Sequence, residues 1–327
     1  MSGPAARNAG TRRRALNPGM TRRRLFFALK LGISAGLLGW LITQFDFAPV
    51  IAQMRAMHPG WLGAAFALLI LHGFISAWRW WAIMRLQGDA PRYGPTLKLF
   101  FIGMFFNQTL STTLGGDAAR VLMLRTAGIS TGKAATGVVL ERAAGMLSMM
   151  ALVPAAILVA PLTGQKTWLA LIAAGLVLIA IILFGPALRH AGRRWLRSTG
   201  LFLLEARRIL LSRAGLPILF LSLAIHLGSG LTVWLVAMAA DASPGLMVCL
   251  TLTPLALLLA TMPISFGGWG VREAVLVGLF APFGVTTEPA LGVSIMLGLL
   301  VMLAGLPGGV IWLNGGRTPR AAPTPPG

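Results

Sequence analysis

Apolar runs of about 20 residues, the length that crosses a hydrocarbon core, succeed one another along the chain with short polar breaks between them. They predict spans at roughly 25–45, 60–83, 134–160, 168–187, 215–240, 245–264 and 289–313. Two further segments do not fit a full crossing. The segment 97–114 is apolar at first, but Asn107, Gln108, Thr109, Ser111, Thr112 and Thr113 crowd its second half. A lipid-facing helix does not carry that density of polar groups. The segment 271–284 is short for a span, and Pro282 and Gly284 are suited to end it. The expected fold class is an all-α polytopic membrane protein with seven to eight transmembrane helices (eight if 271–287 crosses) plus one or two re-entrant half-helix elements.

Charge orients these elements. Arginines fill residues 1–24 (Arg7, Arg12, Arg13, Arg14, Arg22, Arg23, Arg24) and recur through 188–213 (Arg189, Arg193, Arg194, Arg197, Arg207, Arg208, Arg213). Lys and Arg concentrate in cytoplasmic loops, so both stretches are expected in the cytoplasm, the second lying along the inner headgroups. Were 97–114 to cross fully, Arg120, Arg125 and Lys133 would fall outside and every later loop would invert. A re-entrant segment that dips in and returns keeps the tally consistent. The division expected is a disordered basic cytoplasmic tail over 1–24, a single membrane domain over 25–313 and a Pro-rich tail over 314–327. The two helix counts place that last tail on opposite sides of the membrane. Residues 46–59 read as a loop, and Trp78-Arg79-Trp80-Trp81 as an aromatic-basic cluster at headgroup level. Thr21 to Phe27 resembles a twin-arginine signal, but no small-residue cleavage site follows, so a retained first helix is expected.

Composition narrows the function classes. A chain that is 56% hydrophobic and 11% charged is not a soluble globular protein. The net charge of +20 suggests nucleic acid, but the basic clusters border spans, so no nucleic-acid partner is expected. Cys249 is the single cysteine, which rules out an intramolecular disulfide and a cysteine-based zinc site. His58, His72, His190 and His226 lack metal-ligand spacing, and neither G-x-S-x-G nor a P-loop occurs. No metal, cofactor or enzyme activity is expected; His72 and His226, both mid-span, read as packing residues.

One motif occurs twice. Gly115-Gly116 is followed after three residues by Arg120, and Gly267-Gly268 likewise by Arg272, each with a serine shortly before (Ser111, Ser265). Paired glycines allow positive φ and close backbone approach, so each motif reads as a break and a fresh helix N-terminus. Unpaired N–H groups and a partial positive charge there suit an anion, and two broken helices in the two halves of a membrane protein mark a transport site. Asp117 and Arg120 share a helix face, while Glu141-Arg142 and Arg272-Glu273 are adjacent acid–base pairs near span ends. Two readings stand. These groups are interfacial ion pairs that fix helix ends, or Arg120 and Arg272 hold a lipid phosphate, for which the guanidinium fork is suited. In the second reading Asp117, Glu141 and Glu273 orient the arginines or meet a cationic headgroup or a coupling proton. Asn107 and Gln108 line the cavity or hydrogen-bond between helices.

Asn107-x-x-Leu110, Gly115-Gly116-Asp117-x-x-Arg120, Glu141-Arg142 and Gly267-Gly268-Trp269-Gly270-x-Arg272-Glu273 together resemble the flippase-like membrane domain of the lysylphosphatidylglycerol synthases, and the stand-alone proteins made of that domain alone. Order and spacing agree over about 25–313. The resemblance implies a multi-pass bacterial inner-membrane protein with re-entrant helices that moves lipid between leaflets. The lipids it suggests are an anionic or aminoacylated phospholipid, a hopanoid or a lipid-linked sugar. The synthases carry a soluble aminoacyl-transferase domain after the membrane part. No such domain appears up to Gly327, so lipid aminoacylation is not expected of these residues. A second departure is Ser111-Thr112-Thr113-Leu114 before the first glycines, where the second motif has Pro263.

The function expected is lipid translocation, with the headgroup in one polar pocket between the two broken helices. Alanine at Arg120 or Arg272 is then expected to abolish leaflet transfer without changing abundance. The rivals are a non-transporting scaffold that docks a separate lipid-modifying enzyme through 188–213, and a membrane-embedded glycosyl or acyl transferase whose acids converge at one site.

Overall fold

The computed structural model describes residues 47–88, 90–109, 115–159, 204–260 and 269–314. The expected helices at 25–45 and 168–187, both tails, most of the 188–213 stretch and Gly267-Gly268 lie outside the described residues. All regular structure among the described residues is helical.

The first helix, α1 (Phe47–Ala56), occupies the segment read as a loop. It forms because Val50 and Met54, one turn apart, find an apolar seat on Leu291, and Gln53 donates to the carbonyl of Ala240 at 3.1 Å. A following helix, α2 (Pro59–Leu86), starts where His58 accepts the Gly60 N–H through Nδ1, with Pro59 preset for the first turn. Gln87 caps its end and Gly88 follows at φ 87°. Next come α3 (Tyr93–Thr109) and α4 (Gly115–Thr126), and α5 (Thr131–Met150), whose N-cap is Ser130. A two-residue turn separates α5 from α6 (Val153–Val159). Beyond a helical stretch at 204–210 lie α7 (Leu216–Ala239), α8 (Leu246–Ala260), α9 (Val271–Phe280) and α10 (Thr287–Leu313).

Among the described residues four helical segments are long and apolar enough to cross a membrane: Pro59–Leu86, Thr131–Ala156, Leu216–Ala239 and Thr287–Leu313. They answer four of the seven expected spans. Two more fall outside the described residues, and the expected 245–264 span is met by α8 up to Ala260, where description stops. By contrast α9 has 10 residues, about 15 Å of rise, half a hydrocarbon thickness.

The main core lies between α2, α7, α9 and α10, where Ala65, Val233, Val236, Ala237, Leu276, Phe280, Val293 and Leu297 interlock. A second gathers Trp80, Met84, Leu99, Leu124, Ala134 and Val138 from α2 to α5. Outside, Leu299, Met302, Leu303, Leu306 and Val310 of α10 are exposed, an apolar surface that hydrocarbon solvates.

Small residues set the helix spacing, as is usual in membranes. A Cβ on Gly308 would run into the Phe101 carbonyl oxygen, and one on Gly309 would meet the Phe105 ring. Thus α3 and α10 touch backbone to backbone. On the same helix Gly292 faces α1 and Gly298 faces Arg272, so α10 is the common wall for α1, α3 and α9.

Candidate functional site

The first glycine motif opens α4 with Gly115 as its first residue, and α4 runs back along α3. Asn107 and Gly103 face Gly116, and Phe100 and Gly103 face Arg120, so the pair is an antiparallel hairpin. The glycine serves close approach here, since a Cβ on Gly116 would collide with the Gly103 carbonyl oxygen. Positive φ belongs instead to the second motif, at Gly270 (φ 86°), the residue before α9.

At each helix start one N–H is already taken by a side chain of the protein. Asn107 Oδ1 accepts the Gly116 N–H at 2.9 Å, and Glu273 Oε2 accepts the Gly270 N–H at 2.6 Å. The protein supplies these acceptors itself, as buried helix ends demand.

Around α4 the charged side chains form one connected network. Arg120 donates through Nη1 to Glu141 Oε2 at 2.7 Å and through Nη2 to Asp117 Oδ1. Arg79 donates to Glu141 Oε1 at 2.9 Å and to Ser222 Oγ at 2.9 Å. Arg142 reaches Asp117 Oδ2 through Nη2 at 2.9 Å and Nε at 3.1 Å. The Arg120 guanidinium also lies over the rings of Trp80, 4.7 Å from its centroid, and Phe100, at 5.2 Å. Arg79, Asp117, Arg120 and Glu141 are buried. Arg142 differs, with 49% of its side chain exposed.

The second network is smaller. Arg272 donates to Glu273 Oε1 at 2.7 Å and, through Nε, to Ser294 Oγ at 3.3 Å. Ser294 in turn donates to the same carboxylate oxygen at 3.1 Å, and the Trp269 ring covers the guanidinium at 4.5 Å. The arginine fits because Gly298 leaves it room on α10.

The structure thus joins Asn107, Gly115, Gly116, Asp117, Arg120, Glu141 and Arg142 in one site and Arg272 with Glu273 in another. Among the described residues the two arginines share no partner. On α10, Arg272 sits at the level of Ser294 and Gly298, whereas the hairpin sits at Gly305 to Gly309. Two turns of helix, roughly 10 Å, lie between them. Another correction concerns Glu141-Arg142, which are neighbours in sequence but not partners. Residues adjacent on a helix point about 100° apart, so Glu141 turns to Arg79 and Arg120 while Arg142 turns to Asp117. Arg79, part of the aromatic-basic cluster expected at headgroup level, has its side chain buried against Glu141. Its signal, a basic residue among three tryptophans, is indistinguishable in sequence from an interfacial anchor. Ser222 and Ser294 carried no signal. Of the two mid-span histidines, His226 Nε2 lies 3.0 Å from the Gly145 carbonyl oxygen and His72 packs against Gly228.

The sequence pattern of the lysylphosphatidylglycerol synthase TM region matches residues 27–309. No curated protein matches the chain. The match covers nearly all of the helical domain and both arginine networks, and the chain therefore belongs to the lysylphosphatidylglycerol synthase TM-region family and is a multi-pass membrane protein.

Proposed function

We propose that this protein is a lipid translocator of the bacterial inner membrane, with its N-terminus in the cytoplasm. In this reading the α3–α4 hairpin and the short helix α9 belong to re-entrant elements, the first carrying the buried Arg120 and the second the partly buried Arg272. The headgroup of an anionic phospholipid, a hopanoid or a lipid-linked sugar travels through a polar path beside them while its tails stay in hydrocarbon. Tilting of one half against the other opens that path to each leaflet in turn.

The observation that carries this reading is the five-residue ionic network around Arg120, four of whose members are buried between the helices. Charges inside a membrane domain face one another or a wet cavity, and here they do the first while Arg142 remains half exposed. Arg120 and Arg272 become the internal frame of the path, and the exposed Arg142 the group that meets a headgroup.

The test is reconstitution of the purified protein in vesicles carrying a fluorescent phosphatidylglycerol analogue, with a membrane-impermeant quencher reporting the outer leaflet. Transfer that is lost in Arg142→Ala supports the proposal. Transfer no faster than in protein-free vesicles, with analogues of all three lipid classes, overturns it.

The scaffold reading keeps one supporting observation. Arg207 and Arg208 stand exposed beside Leu204 and Leu211, a surface that a partner enzyme or anionic headgroups would fit. The transferase reading gains none, because Asp117 and Glu141 are each held by two arginines.

A further inference from the structure

We infer that Asp117 is a built-in stand-in for the substrate's headgroup, and that the phosphodiester of a lipid headgroup whose net charge is a single negative one replaces it on Arg142. This rests on the translocator reading and narrows its substrate class.

Counting the network's charges is the first step. Arg79, Arg120 and Arg142 bring three positive charges, and Asp117 and Glu141 two negative ones. The cluster is left one anion short. Glu141 is committed on both sides, Oε1 to Arg79 and Oε2 to Arg120, between groups that are all buried. Asp117 is held less completely. Its Oδ1 stays on Arg120, but its Oδ2 serves Arg142 alone, accepting both Nε and Nη2.

Place in the helix is the second. Arg142 lies 11 residues beyond Thr131 in the segment Thr131–Ala156, about 16 Å along it. A cation with half its side chain uncovered on a segment of this apolar character needs an anion or water beside it. Among the described residues Asp117 is the one acid that bonds it, from one side.

Chemical likeness is the third. The edge of a guanidinium that binds one carboxylate oxygen through Nε and Nη2 binds a phosphate oxygen equally well. When a monoanionic phosphodiester takes Arg142, the three positive charges face three negative ones and the cluster is neutral. A headgroup of net positive charge would deepen the imbalance. Asp117 returning to Arg142 then expels the lipid, so the aspartate both lowers resting affinity and speeds release. The apparent affinity is reduced by the fraction of time that Asp117 holds Arg142.

The experiment measures binding apart from transport. The full chain, in detergent micelles, is titrated with fluorescent phosphatidylglycerol and, separately, with fluorescent phosphatidylcholine, with energy transfer from tryptophan as the signal. Asp117→Asn should tighten phosphatidylglycerol binding about tenfold and slow its dissociation. Arg142→Gln should abolish the preference for phosphatidylglycerol, and Arg142→Lys should restore part of it. Phosphatidylcholine binding should not respond to any of the three. Weaker phosphatidylglycerol binding in folded Asp117→Asn, or an unchanged preference in Arg142→Gln, overturns the inference. Should Asp117→Asn fail to fold, the Gln and Lys variants of Arg142 decide the matter alone. Inorganic phosphate at millimolar concentration should not displace the lipid; if it does, the site serves a soluble anion and the lipid assignment fails. Absence of leaflet transfer with these binding responses intact would defeat the translocator reading and leave the headgroup site standing.

Discussion

Arg120→Ala and Arg142→Ala should behave as opposites, although the two arginines share one aspartate. Arg120 is enclosed: it bonds Glu141 at 2.7 Å and Asp117, and two aromatic rings cover it. Removing it leaves Asp117 and Glu141 buried with one guanidinium each, and breaking a buried pair in this way costs about 3–5 kcal/mol. Arg142 has 49% of its side chain exposed and its removal leaves Asp117 still paired with Arg120, so its loss costs only about 1 kcal/mol. The gap of at least about 2 kcal/mol is roughly a thirtyfold difference in the folding equilibrium. Reversible unfolding in mixed micelles, followed by tryptophan fluorescence, resolves this, and Trp80 reports from beside the altered residue. Equal losses in the two variants, or a loss below about 1 kcal/mol for Arg120→Ala, would refute the account of the network. The same contrast revises the sequence-based expectation that Arg120→Ala spares abundance. Impaired transfer in that variant will come with impaired folding, whereas Arg142→Ala separates the two.

Other outcomes follow from packing and polarity. Gly308→Ala should push α10 off α3, because its methyl group meets the Phe101 carbonyl; a loss of about 1–3 kcal/mol is expected, and an unfolding midpoint equal to wild type would count against the backbone contact. Glu273→Gln puts an amide N–H among three donors (Arg272, Ser294 and the Gly270 N–H) and strips Arg272 of its anion. A loss of about 3–5 kcal/mol in the same assay is the expected result, and a Gln variant as stable as wild type would show that Glu273 is not the acceptor. Cys249 is buried where α8 meets Gly230 of α7, so a small maleimide should label it only after denaturation; rapid labelling of the folded protein would place α8 elsewhere.

What could be foreseen divides along physical lines. The helix starts at Gly115 and just after Gly270 were legible because both depend on local chemistry, glycines followed by a helix-forming run. The Asp117–Arg120 contact was legible for the same reason, being three residues apart on one helix. The Arg79–Glu141 pair spans 62 positions, and no local rule connects them. Which of Glu141 and Arg142 would be buried was equally hidden. Spans that are apolar all round carry no stripe to say which face meets a neighbour, so only packing against α2 and α7 decides it. The α1 helix was missed because its reason for folding, the surface around Leu291, lies some 240 residues further along.

Because α10 faces Arg272 through Gly298 and the α3–α4 hairpin through Gly305, Gly308 and Gly309, rotation of this one rod about its axis is felt at both ends. Genetic selection should register that gearing. Second-site suppressors of a mild lesion near Arg272 are expected along the glycine edge of α10 between Gly298 and Gly309, on the far arm of the same lever.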